Sequence, residues 1–157
     1  MDAPPMHWLI SFPLLHIICE PWQKDLFALA HSDSSSLRDA RIRWLIVDAF
    51  SADPYRTVVD VIPQFLSRLS ELLKIPSLER LLLRPRIEHE ESRDFICDAV
   101  TRWAFAARDE RIWLDDKGVR VESEWDNERF DVLDVADAVV GHRLWLTGAQ
   151  LYTRTSQ

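Results

Sequence analysis

The chain has 157 residues, 47% hydrophobic and 29% charged, which is globular composition with enough mass for a core without disulfide or metal support. Its three glycines, Gly118, Gly141 and Gly148, form no G-x-G-x-x-G or Walker-type loop, which disfavours a dinucleotide or P-loop enzyme. A net charge of −7 argues against a general nucleic-acid binder.

The charge is uneven. Residues 1–53 carry four basic and seven acidic side chains, 54–108 nine and eight, and 109–157 six and eleven. Cys19 and Cys97 share no metal spacing and sit in apolar runs, as small buried hydrophobes do, so a reducing cytoplasmic location fits better than a disulfide framework.

Met1 to Pro5 lacks a positive start, so no signal peptide is expected, and the run Trp8 to Cys19 is too short to span a bilayer. That run reads as a core helix bent at Pro13, with a strand as the alternative. Pro21 opens a short helix over 22–30, and His31 to Ser36 is a polar loop. Ser36 and Asp39 fit a capping box, and Leu37, Ala40, Trp44 and Val47 keep helical spacing. The alternative reads Arg43 to Phe50 as a buried strand holding Asp48 near its end, because periodicity alone does not separate the two for so short a run.

The clearest signal is a long amphipathic helix over 53–75. Asp53 and Pro54 suit its start; Val58, Ile62, Phe65, Leu69 and Leu72 or Leu73 recur on one face; Pro63 interrupts it. A short helix over 77–84 then lies between Pro76 and Pro85. After the charged linker 86–91, Ser92 caps a helix over 93–108. Arg111 to Glu122 reads as a β-hairpin turning at Asp115-Asp116-Lys117-Gly118. Asp126 or Asn127 caps a helix ending at Gly141, and 142–153 is either a second hairpin turning at Thr147-Gly148 or a last helix.

The expected fold is therefore mainly α, with five to six helices and a C-terminal β-hairpin, in a single domain over 1–157. Its helical part covers about 5–108 and its acidic, hairpin-containing part about 109–157. The alternative is an α+β, winged-helix-like arrangement, with 93–108 as recognition helix and the hairpin as wing.

No motif fixes a reaction. Glu88, His89, Glu90 and Glu91 lack H-x-x-x-H or H-E-x-x-H spacing and read as solvated linker. Asp115 and Asp116 are what a turn demands, without EF-hand spacing. No catalytic residue, metal or cofactor is expected. The leading reading is a non-enzymatic interaction or inhibitor-like module whose acidic, Trp-bearing C-terminal part binds a protein with a basic surface. Its contact residues are Trp113, Trp125, Glu110, Asp115, Asp116, Glu122 and Glu124, aromatics rimmed by acids. Nucleic acid and membrane are disfavoured as partners, and self-association is left open. One alternative is a winged-helix nucleic-acid binder using the arginines of 74–120. Another is a small hydrolase with Asp48 and a histidine, since α/β enzymes place catalytic groups at strand carboxyl ends.

Overall fold

The stretch Leu45 to Ala49 has no exposed face: Leu45, Ile46, Val47, Asp48 and Ala49 are all buried. Consecutive burial is impossible for a surface helix, but it is what a parallel strand covered on both faces needs. The computed structural model describes residues 14–19, 39–51, 55–87, 89–116 and 148–154. These form one sheet of five strands in spatial order, β1 (Leu14–Cys19), β2 (Trp44–Ser51), β3 (Arg80–Ile87), β4 (Ile112–Leu114) and β5 (Ala149–Gln150). β1 to β4 are parallel and β5 is antiparallel to β4. Helix α1 (Tyr55–Leu72) joins β2 to β3, and α2 (Glu90–Ala107) joins β3 to β4.

Two consecutive βαβ units stepping in one direction must place both helices on the same side of the sheet. One apolar cluster accordingly unites Leu45, Val47, Ala49, Leu81 and Leu83 of the strands with Val58, Ile62, Phe65, Leu69 and Leu72 of α1 and Ile96 and Val100 of α2. Trp103 Nε1 donates to Ser70 Oγ at 2.9 Å and fastens α2 to α1. On the opposite face, Ile46 and Leu82 are buried, with Trp44 and Trp113 packed against them.

The fold is thus mixed α and β, which corrects the mainly helical expectation. Residues 14–19 and 44–51 are strands, the alternative reading in each case rather than the preferred helix; over 45–49, burial on two faces removes the alternation that marks a strand. Residues 80–84 also belong to a strand, despite Pro85. Leu81 N donates to the Arg111 carbonyl at 2.8 Å and Leu83 O accepts from Asp115 N at 2.9 Å, so odd-numbered residues of β3 bond toward β4. Pro85 is the next odd position and lies past the last pair, Leu83–Leu114, where no donor is required. The winged-helix alternative falls as well: 112–114 pair in parallel with β3, and their antiparallel neighbour is β5. The 119–122 arm, the helices over 22–30 and 126–140 and the cap at Asp53 lie outside the described residues.

The helix expected over 53–75 runs Tyr55–Leu72 with Pro63 inside, and its five core residues are those anticipated. The second helix begins at Glu90, with His89 as N-cap and Ser92 buried in the first turn, so Ser92 is not its cap. Gly148 meets a real conformational demand. Its φ is +86°, and an added Cβ there would stand 2.8 Å from Leu82 Cδ1 and 2.9 Å from the Leu114 carbonyl oxygen. Only glycine lets the chain approach β4 this closely and pair as β5. β4 and β5, beyond residue 108, share the sheet of β1 to β3.

Candidate functional site

Three features hold the chemistry of the described residues. The first lies on the sheet face away from the helices. Strand alternation puts Asp48 and Arg84 on the same face as Ile46 and Leu82, and the register makes them neighbours. Arg84 Nε is 3.4 Å from Asp48 Oδ1 and 4.0 Å from Asp115 Oδ2. Asp48 and Arg84 are 0% and 4% exposed, so one guanidinium joins two carboxylates away from bulk water. Burial on this scale is tolerable for Asp48 and Arg84 because they face one another.

At the other end of the same face, the Arg80 guanidinium stacks 3.8 Å from the centroid of the Trp113 ring, with Trp44 at 5.8 Å. Burial lowers the Arg80 pKa from its ordinary value. Glu79 bridges outward, accepting from Arg43 Nε at 2.9 Å and Trp44 Nε1 at 3.3 Å. A second lock lies nearby: Asp109 accepts from the backbone and side chain of Arg111, whose Nη2 also donates to the Leu73 carbonyl at 2.9 Å. The side-chain bond from Arg111 holds the Asp109 carboxyl below its usual range.

The third feature is the solvent stripe of α2. Glu90, Asp94 and Asp98 recur at steps of four and are exposed. Asp116, just past β4, comes near the same stripe. Burial first, then the charges of Asp116, Asp94 and Asp98, raise the Cys97 thiol to about 11 against the lowering effect of Arg93. Arg93 itself is shared between Glu90 at 3.5 Å and Asp94 at 3.9 Å. Exposed carboxylates thus line this side of α2, with Arg93 paired among them.

Of the contact residues read from the sequence, Trp113 is half-buried under Arg80, and Asp115 faces Arg84. Glu110 is exposed at the opposite end of β4 from Asp115 and Asp116, so the acids do not form one patch. Trp125, Glu122 and Glu124 lie outside the described residues. Glu90 and Glu91 are exposed in the first turn of α2, where acids suit the helix dipole. The i, i+4 recurrence of Glu90, Asp94 and Asp98 was legible as spacing, but only the fold brings Asp116 to it. Among the described residues, no group of three or more His, Cys, Asp or Glu side chains is arranged to hold a metal ion. No helix among them is long and apolar enough to cross a membrane. No family model, curated protein or solved structure matches this chain.

Proposed function

We propose that this chain is a non-enzymatic protein-interaction module whose acidic surface binds a partner presenting Lys and Arg. The observation that carries this reading is the exposed row of Glu90, Asp94 and Asp98 at steps of four along α2. Exposed carboxylates on a rigid helix steer a basic partner and fix its register more than they add raw affinity, so binding should weaken with salt. The acidic surplus of residues 109–157 has the same sign.

The test is affinity capture from the source lysate with wild type and an Asp94→Lys/Asp98→Lys variant, with circular dichroism as the folding control. A basic protein captured by wild type and lost in the folded variant supports the reading. Equal capture, or capture of acidic proteins alone, contradicts it.

A second reading, a small hydrolase built on Asp48, gains from one observation: β2 opens two consecutive parallel βαβ units, and ligands of such sheets gather at strand carboxyl ends. Its obstacle is the burial of Asp48 against Arg84. Turnover of p-nitrophenyl esters or phosphates, abolished in a folded Asp48→Asn variant, would favour it.

A further inference from the structure

We infer that the second half of the α2 stripe is a docking surface for an acidic polypeptide segment bearing a bulky apolar side chain. Phe105 is the large hydrophobic residue left exposed among the described residues, at 56%. Its position is fixed. The ring meets Tyr152 edge-on, with centroids 5.9 Å apart and planes at 85°. The Tyr152 segment is itself tied down at Glu110, whose Oε1 accepts from Arg154 N and whose carbonyl accepts from Gln150 Nε2, both at 2.7 Å. An aromatic pair held by its framework rather than by a neighbour loses little conformational freedom when a partner covers it.

The surroundings decide the partner's charge. Arg102 lies one turn before Phe105 on the same helix, Arg108 caps the helix with a φ of 50°, and Arg154 follows Tyr152 by two residues. All three are exposed, and none of their guanidinium groups has an ion pair among the described residues. Other arginines in the fold do: Arg43, Arg84, Arg93 and Arg111 each stand 2.6 to 3.5 Å from a carboxylate. Among the described residues, the exposed carboxylates beside these three cations are Glu110 and, one turn before Arg102, Asp98. Guanidinium groups bind carboxylates through paired N–H donors, while the Phe105 and Tyr152 rings accept an aliphatic or aromatic anchor. The complement is a segment of Asp or Glu around Leu, Ile or Phe. A polynucleotide fits less well, because the chain carries −7 overall and the acidic half of the same helix begins one turn before Arg102, at Asp98. This surface does not depend on the acidic one. The two differ in sign and in the residues that should abolish each.

The probe is a fluorescein-labelled peptide alternating Glu and Leu, titrated with the full chain by anisotropy. Controls replace Leu by Ser, replace Glu by Lys, or use single-stranded oligouridylate. The Glu/Leu peptide is expected to bind, and to bind at least about tenfold more weakly to Phe105→Ser and to Arg102→Glu/Arg154→Glu, each verified as folded by circular dichroism. The Asp94→Lys/Asp98→Lys variant should keep that binding. The inference is overturned if the Glu/Leu peptide does not bind, if the Ser or Lys control binds as well, if oligouridylate binds more tightly, or if folded Phe105→Ser binds like wild type.

Discussion

On the helix side of the sheet, β2 and β3 bury Leu45, Val47, Leu81 and Leu83 against α1 and α2, apolar against apolar throughout. On the other side, the intervening residues include Ile46 and Leu82, but also Asp48 and Arg84, and Arg80 sandwiched between Trp44 and Trp113. Both faces are closed to solvent, yet they respond to damage differently. The helix face loses contacts in proportion to the atoms removed. The opposite face holds charges that are tolerable only while paired, so removing one partner strands the other.

The largest expected effect follows from that contrast. Arg84→Ala leaves Asp48 buried without its cation and should cost about 3–5 kcal/mol in urea denaturation, while Asp48→Leu/Arg84→Met should come far closer to wild type. On the helix face, Leu69→Ala should cost about 2–5 kcal/mol, whereas Leu69→Met should cost less than about 1.5 kcal/mol. Loss in the double replacement as large as in Arg84→Ala would remove the distinction between the faces.

Smaller effects sharpen the boundary of the sheet. Gly148→Ala forces a side chain into a positive-φ position against Leu82 and the Leu114 carbonyl, and should cost about 1–3 kcal/mol by thermal unfolding. The smallest is pH-dependent. Asp109 has its folded pKa depressed from 3.8 by Arg111, so its contribution is fully present above that value and is lost as pH falls through the lower folded one. The stability difference between wild type and Asp109→Asn should therefore be flat near neutral pH and shrink below about pH 4.

The sequence revealed α1 because one face of it is wet: Asp60 and Gln64 stay exposed while Val58, Ile62, Phe65, Leu69 and Leu72 are buried. It left β2 undecided between helix and strand and concealed β3, because a buried run such as Leu-Ile-Val or Leu-Leu-Leu carries no period to read. Pro85 misled for a related reason, since its harmless place beyond the end of β4 is a fact of register, not of local sequence. In the candidate site, the acidity around Asp115 and Asp116 was legible, but their separation from Glu110 by the length of β4 was not. Trp113 looked like a contact residue because nothing local shows that Arg80, far away in sequence, covers it. Phe105 gave no signal, since the inward face of α2 could be drawn through Phe95 or Ile96 without testing which aromatic remained outside.

Hydrogen–deuterium exchange with and without an oligolysine peptide tests the central claim directly, because it separates the stripe of α2 from the strand ends around Asp48. The account predicts slower exchange over residues 90–98 and 115–116, reversed by salt, with β2 unchanged. No change in α2, or protection confined to the carboxyl end of β2, would contradict it.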